Sequence, residues 1–322
     1  MENEIYDLII LGSGPAGVSA AIYAERYNLK SIMIGELFGG TVMYPHKITN
    51  FPSYAEISGI DLINNFRKHI ESMNYKVIED QIIKVENLDN NFNVYLRKGQ
   101  KIVGKNILVA LGTFRRKLNA KGEDAFIGKG VHYCAICDAV FYKDKTAIVV
   151  GSGDGAAMAV LLLSPIAKQV YQIIRKDELK VAPDTLEKLE KLNNYTLIKN
   201  NEIIEIAGDK FVNKVFLKED FGNKKEIEID GVFIEIGGAP NSAIINDLNI
   251  KIDNNGYINV DNCMKTNVPG VWAAGDITNI HGDFKQIINA CSQGAVAAHG
   301  VFKDINVNAK ANSNLKSQKS NP

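Results

Sequence analysis

The chain has 322 residues, room for two domains of ordinary size, and its 46% hydrophobic and 23% charged content suits packing around apolar cores. Lysine plus arginine equals aspartate plus glutamate at 37 each, so no bulk charge draws it to nucleic acid or anionic lipid, which argues against a nucleic-acid binder. Four cysteines are too few for a disulfide scaffold in a chain of this length.

Met1–Asp7 lacks the basic start and apolar run of a signal peptide. A short apolar strand over Ile5–Leu11 then ends in Gly12-Ser13-Gly14-Pro15-Ala16-Gly17. Helical spacing and alanine content predict a helix from Val18 to Tyr27, and a second strand, Ser31–Ile34, ends at Gly35-Glu36. In this βαβ unit Gly12 permits the tight turn, Gly14 lets a pyrophosphate approach the backbone, and Gly17 lets the helix sit close to the sheet. Phosphates face the free N–H groups of the helix start, and Glu36 is placed to accept from a ribose hydroxyl. GxGxxG alone is weak; with the strand, the helix and the terminal acid it reads as a dinucleotide site.

Strands follow at Phe92–Leu96 and Ile102–Val109, and then Cys134-Ala135-Ile136-Cys137 with Asp138 directly after it. Two thiols at this spacing can close a small disulfide ring. A zinc site needs four ligands, usually a second CxxC or two histidines; His132 is near, but the other cysteines and histidines are scattered, so no metal is expected. Asp138 can shuttle the proton that thiol–disulfide exchange requires, with a helix cap or surface carboxylate as its plainer alternative.

The βαβ unit then recurs. Thr146–Val150 leads into Gly151-Ser152-Gly153-Asp154-Gly155-Ala156, an apolar helix to about Leu163, and a strand Gln169–Ile174 ending at Arg175. This most apolar stretch, 147–163, is interrupted by glycines and Asp154 and followed by Pro165, so it is too short and broken to span a bilayer; a cytoplasmic protein without membrane contact is expected. Gly12 to Glu36 and Gly151 to Arg175 are both 24 residues apart, and such a repeat means two nucleotide-binding folds in one chain. Arg175, Lys176 and Lys180 suit the 2′-phosphate of NADPH where an acid would suit NADH; solvated surface cations are the alternative. Strands are expected at Val215–Leu217, Glu226–Ile229 and Gly231–Ile236, a buried strand in Gly270–Asp276, and a helix from Gln286 to Phe302. Trp272, Cys263 and Cys291 read as core residues, and 306–322, almost without apolar side chains, as a disordered tail.

Taken together, GSGPAG at 12–17, Gly39-Gly40, Asn50-Phe51-Pro52, ALGT at 110–113, KGVHYCAICDAVFYKDK at 129–145, GSGDGA at 151–156, Ile236-Gly237 with Pro240-Asn241, TNVPGVWAAGD at 266–276 and Lys285-Gln286 resemble the low-molecular-weight thioredoxin reductase family, in order, from residue 5 to about 303. The resemblance implies an α/β chain of two Rossmann-like dinucleotide-binding domains, the second inserted into the first: an FAD-binding domain of 1–115 and 243–305, and an NAD(P)H-binding domain of 116–242 carrying the CxxC pair. It implies FAD on Gly12, Ser13, Gly14, Pro15, Ala16, Gly17, Gly35, Glu36, Gly40, Thr41, Asn50, Ala110, Gly112, Gly275, Asp276, Gln286 and Ile287. Of these, Asp276 would bind the ribityl–phosphate part and Gln286 would sit near the flavin ring. NADPH would lie on Gly151, Gly153, Asp154, Gly155, Ala156, Arg175, Lys176 and Lys180. Cys137 would face the flavin, Cys134 would attack the disulfide of a thioredoxin-like partner, and Asp138 would serve as acid–base. A homodimer is implied, with an inserted domain that rotates so that nicotinamide and disulfide visit the flavin in turn.

Several positions depart from the family pattern. Met158-Ala159 replaces a glutamate pair, Ile174-Arg175-Lys176 a His-Arg-Arg, Lys180 an arginine, and Thr41 a glutamine; Gly238-Ala239 displaces the histidine expected before Pro240-Asn241. Most of these lie on the nicotinamide side, which leaves a different donor such as ferredoxin or deazaflavin open. A flavin-bearing redox sensor without turnover is the alternative from another class.

Overall fold

The structure, a computed structural model, describes residues 4–43, 48–88, 91–240, 243–282 and 284–319, with the backbone alone at 115, 136, 243 and 308–319. In chain order the elements are β1 Ile5–Tyr6, β2 Leu8–Leu11, α1 Pro15–Arg26, β3 Ser31–Ile34, α2 Gly59–Ser72, β4 Val77–Ile78, β5 Ile82–Leu88, β6 Asn91–Leu96, β7 Lys101–Gly104, β8 Ile107–Val109 and β9 Thr113–Arg115. There follow β10 Val131–His132, α3 Ala135–Asp138, β11 Thr146–Val150, α4 Asp154–Leu163, β12 Gln169–Ile173, α5 Pro183–Glu190, β13 Tyr195–Ile198, β14 Ile203–Gly208, β15 Val212–Phe221, β16 Lys224–Glu228, β17 Gly231–Ile234, β18 Gly238–Pro240, β19 Val271–Ala273 and α6 Ile287–Lys319. They fall into two compact units: residues 1–114 with 239–322, and residues 115–238.

The first unit is built on a five-stranded parallel sheet in the order β19-β8-β2-β3-β4. Strands buried on both faces should be apolar throughout, and β2 (Leu-Ile-Ile-Leu) and β8 (Ile-Leu-Val) are. Leu8, Ile10, Met33 and Leu108 pack with α1, α2 and α6, while Ile9, Leu11, Ile32 and Val109 pack against β5 and β6. The latter strands belong to a second sheet, β1-β7-β6-β5. Helices α1 and α6 meet through small residues, Ala20, Ala21 and Ala24 with Ala297 and Ala298. A Cβ on Gly294 would lie 2.0 Å from the Ala16 carbonyl oxygen, so the approach of these helices requires glycine there.

The second unit repeats the plan with a parallel sheet β10-β17-β11-β12-β13, and adds an antiparallel sheet β14-β15-β16. Ala147, Val149 and Phe233 pack under α4 and Leu189 of α5; Ile148, Val150 and Ile234 face Ile203, Val215 and Leu217 of the antiparallel sheet. The described helices include none long and apolar enough to cross a membrane.

Several expectations are corrected. The single strand read over 5–11 is β1 and β2, and that over 102–109 is β7 and β8, each pair divided between the two sheets. The cause is a polar pin: Lys30 N–H and the Lys105 ammonium both bond the Asp7 carboxylate, and the Asn106 side-chain amide donates to the Asp7 carbonyl. Helix α1 begins at Pro15, not Val18, because proline at the first helical turn loses no hydrogen bond. Helices α2 and α5 were not anticipated. The backbone of α6 continues helically to Lys319 where a disordered tail was expected from 306; Ala309, Lys310, Ala311, Leu315 and Lys316 are good helix formers, and propagation from a packed start is cheap. Residues 320–322 of that expectation lie outside the described residues. Cys263 is exposed, lifted from the core by a turn in which Asp261 accepts the Cys263 and Lys265 N–H groups. Trp272 is buried, and the half-buried Cys291 thiol is pushed up to about 11 by desolvation.

Replacing Gly294 with alanine should force the helices apart at a cost of about 1–3 kcal/mol, lowering the thermal midpoint by roughly 2–10 °C. A calorimetric midpoint that does not move would refute the α1–α6 contact.

Candidate active site

In the first unit, β2 delivers the chain to Gly12, whose φ of +114° and carbonyl contact (an added Cβ would meet the Ala110 oxygen at 2.1 Å) admit no side chain. A Cβ on Gly17 would stand 2.0 Å from the Gly12 oxygen, so the first turn of α1 lies directly on the loop. Gly14 caps α1 in extended conformation with no side-chain hydrogen bond, and no acid stands in the first turn. The space beside it is open, with the Gly39 oxygen, 4.0 Å from where a Cβ would be, as the nearest neighbour. Ser13 is buried; its hydroxyl donates to Leu37 O at 3.1 Å and its carbonyl accepts from Gly39 N at 2.8 Å. Gly35 closes on Ser13, Gly40 stands beside Gly14, and Gly275 beside Ala16. The Glu36 carboxylate is 60% exposed, with Arg97 at 3.6 Å, and can turn to a ribose. Open N–H groups, room at Gly14 and an acid at the end of β3 fit the pyrophosphate and ribose of a dinucleotide.

Other expected residues lie in the same unit. Asn50 donates to the Gln286 side-chain oxygen at 3.0 Å, across 236 residues of sequence. Gly112, at φ +63°, has nothing within 4 Å of a Cβ position, and Thr41 lies exposed in the short 3-10 turn 40–43. Ile287 opens α6, half-buried against the helical core. Burial pushes the Asp276 carboxyl above its ordinary value, opposed by the Lys285 ammonium. Gln293 was missed by the sequence reading. It is buried, its side-chain oxygen accepts Gly275 N–H at 2.7 Å and the Thr278 hydroxyl at 3.1 Å, and its nitrogen meets His281 Nδ1 at 3.0 Å. The available signal was position: Gln293 stands two helical turns after Gln286, a polar residue in an apolar run.

In the second unit Gly151, at φ +142°, is pressed against the Glu235 carbonyl, and Gly153 caps α4 with nothing within 4 Å of a Cβ position. Ala156 is buried against Gly151. This loop also fits a pyrophosphate, but with acids close by: Asp154 opens α4, and a Glu235 carboxylate oxygen lies 3.7 Å from the Cβ position of Gly155. Arg175 and Lys176, beyond β12, and Lys180 are exposed, and Lys180 N–H donates to Ser152 O at 2.7 Å, drawing the cationic segment to the loop. Gln172, also missed, is buried and holds the Gly151 carbonyl at 2.7 Å.

Cys134 and Cys137 form a disulfide with Cα atoms 5.4 Å apart. Cys134 is half-buried at the start of the single-turn helix α3 and Cys137 is exposed; the Cys137 N–H donates to Cys134 Sγ at 3.3 Å. Asp138, half-buried, places a carboxylate oxygen 2.7 Å from His132 Nδ1. This is the arrangement of a reducible sulfur pair with an acid–base group beside it.

Burial of Asp276 carries a stability consequence. Its folded-state pKa is raised above the unfolded 3.8, so the penalty is absent below that pH and grows as pH rises through the folded value. Asp276→Asn should therefore raise the unfolding midpoint of the FAD-free protein at pH 7, the gain shrinking toward pH 4, while flavin retention falls. Equal midpoints at pH 7 in differential scanning fluorimetry would contradict the strained carboxylate.

Residues 6–294 match the model of the pyridine nucleotide-disulphide oxidoreductase family. The chain is 37% identical over 318 residues to a thioredoxin reductase of Peptoclostridium acidaminophilum, covering 96% of this chain and 99% of the relative. It is 36% identical over 306 residues to one of Mycoplasma genitalium, covering 94% and 96%. The crystal structure of Lactococcus lactis thioredoxin reductase (FR conformation) superposes with a TM-score of 0.87 at 31% identity, over 92% of this chain and 98% of that one. The chain belongs to the pyridine nucleotide-disulphide oxidoreductase family, as an FAD-dependent oxidoreductase of the thioredoxin reductase type.

Proposed function

We propose that this chain reduces the disulfide of thioredoxin or a thioredoxin-like protein with electrons drawn from NADPH, working as a homodimer in the cytoplasm. The observation that carries the reading is a disulfide with an adjacent half-buried aspartate, in a chain that also folds two separate glycine loops, each opening a helix. FAD supplies the two-electron relay between NADPH and the Cys134–Cys137 pair.

Residues 12–17 and 35–36, with Gly40, Thr41, Asn50, Ala110, Gly112, Gly275, Asp276, Gln286 and Ile287, would hold FAD, Gly14 and the N–H groups of the first α1 turn being the groups open to its pyrophosphate. The loop 151–156 takes the pyrophosphate of NADPH, and Arg175, Lys176 and Lys180 its 2′-phosphate. The Cys137 N–H that donates to Cys134 Sγ in the disulfide would, if kept on reduction, support negative charge on that sulfur. The Cys134 thiolate attacks one sulfur of the partner disulfide; that S–S bond breaks and the departing thiolate takes a proton from Asp138. Cys137, as thiolate, then attacks Cys134 Sγ, restoring the intramolecular disulfide and releasing the second partner sulfur. The partner gains two electrons and the chain's dithiol loses two.

Two outcomes are expected. Anaerobic NADPH should bleach the yellow protein's flavin absorbance within seconds; bleaching by reduced ferredoxin but by neither NADPH nor NADH would reassign the donor. Pre-reduced Cys137→Ser should accumulate a covalent 1:1 adduct with oxidised thioredoxin on non-reducing gels, and Cys134→Ser none; an adduct formed by Cys134→Ser alone would exchange the roles of the two sulfurs.

A further inference from the structure

Within the second unit, Asp138 is the outer end of a hydrogen-bonded line that runs inward. His132 on β10 sets Nδ1 2.7 Å from the Asp138 carboxylate and Nε2 2.7 Å from the Tyr142 hydroxyl, which in turn lies 3.4 Å from the Asp230 carbonyl oxygen. The imidazole side chain is only 11% exposed, whereas that of Asp138 is 29% exposed. The ring stacks on Phe233 of β17, centroids 5.0 Å apart and planes 23° from parallel, and meets Tyr142 edge-on at 5.4 Å. Tyr142 is itself locked, for a Cβ on Gly231 would stand 2.0 Å from its oxygen. Burial, then the nearby Asp138 and Asp230 carboxylates, push its hydroxyl up, so it stays protonated at neutral pH.

This line is satisfied with either of two proton counts. With His132 neutral, Nδ1–H donates to Asp138 and Nε2 accepts from Tyr142. With His132 cationic, both ring N–H groups donate, to Asp138 and to the Tyr142 oxygen, and the Tyr142 hydroxyl turns to the Asp230 carbonyl. A buried histidine that gains or loses a proton without orphaning a partner is a proton store. The charged and titratable groups facing this line are Asp138 and Tyr142 directly, Lys145 at 5.7 Å from the Tyr142 ring centroid, and Asp230, whose carboxylate is taken by Thr146 N–H; β17 contributes the uncharged face of Phe233.

We propose that His132 is the positioning residue of the dithiol centre, fixing the Asp138 carboxyl and recharging it with a proton after each delivery to a departing thiolate. The inference rests on the disulfide-reductase reading above. In the step, Asp138 gives its proton to the partner thiolate released when Cys134 attacks; the His132 imidazolium returns one to the Asp138 carboxylate; neutral His132 is reprotonated from water.

The test exploits leaving groups. Pre-reduced protein is mixed with oxidised thioredoxin, with hydroxyethyl disulfide, and with 5,5′-dithiobis(2-nitrobenzoate), whose thiolate departs without needing a proton. His132→Phe keeps the stack on Phe233 and removes both hydrogen bonds. It should slow the first two reactions at pH 7.5 by about tenfold, an order below the ~100-fold expected for losing a general acid outright, and the third by less than about twofold. His132→Asn, which can still donate to Asp138, should recover part of the rate on the first two disulfides. Equal slowing of all three disulfides would reduce His132 to a structural part and overturn the proposal, as would no slowing of any. Wild type inert to thioredoxin but active on hydroxyethyl disulfide would overturn the partner reading alone, because the contrast between the two small disulfides still decides the role of His132.

Discussion

Both nucleotide loops depend on backbone touching backbone. At Gly17 against Gly12, Gly12 against Ala110, and Gly151 against Glu235, an added Cβ would lie 2.0–2.1 Å from a carbonyl oxygen. No side chain fits in such a gap, and the neighbour on the far side is main chain that cannot rotate away. The result is a helix start held directly over a strand end, with its unpaired N–H groups presented at the carboxyl edge of a parallel sheet. The anion site follows from that proximity and not from any charged side chain. The same economy recurs at Gly294, where α6 packs on the very residues that form the first turn of α1. The C-terminal helix therefore stabilises the N-terminal loop from behind.

What was legible in the sequence was what is local along the chain. Strand, glycine turn, helix and terminal charge all fall within 32 residues (Ile5–Glu36 and Thr146–Arg175), so the periodicity and the GxG spacing of Gly12–Glu36 and Gly151–Arg175 carry the signal by themselves. The cysteine pair is equally local. What escaped are contacts between different elements, made by residues whose identities are unremarkable. Asp7 divides an apolar run into strands of two sheets because it meets Lys30 and Lys105; nothing in Ile-Tyr-Asp-Leu-Ile-Ile-Leu announces that meeting. Gln293 and Gln172 each hold a glycine-loop backbone group from an element 18 or 21 residues away. In a one-dimensional reading a buried glutamine is indistinguishable from a solvated one.

The two loops are alike in shape and unlike in charge. The first turn of α1 carries no acid; that of α4 opens with Asp154, and the Glu235 carboxylate stands near Gly155. A carboxylate near a helix N-terminus is worth about 0.3–1 kcal/mol to the helix, and an arriving phosphate must share that field with it. One such competitor weakens anion binding by up to about fivefold. Under the proposed function, a resident flavin would profit from the uncontested site and a donor that departs at every turnover from the contested one. On the same reading the exposed cations Arg175, Lys176 and Lys180 would restore attraction at the ribose end.

The dithiol centre shows how one side chain can be exposed enough to act and fixed enough to act reproducibly. A carboxylate on a single-turn helix has little to hold it, since four residues cannot stabilise themselves. Here the restraint comes from the sheet. His132 is anchored in β10, its ring lies on Phe233 two strand positions from the Ala147–Gly231 pairing, and Tyr142 closes the other nitrogen. The Asp138 carboxylate is thus tied to the parallel core through three hydrogen-bonded groups, while its side chain stays 29% exposed. Removing the histidine would leave Asp138 chemically intact but free to rotate, which is why its contribution should show in proton delivery and not in the formation of the disulfide itself.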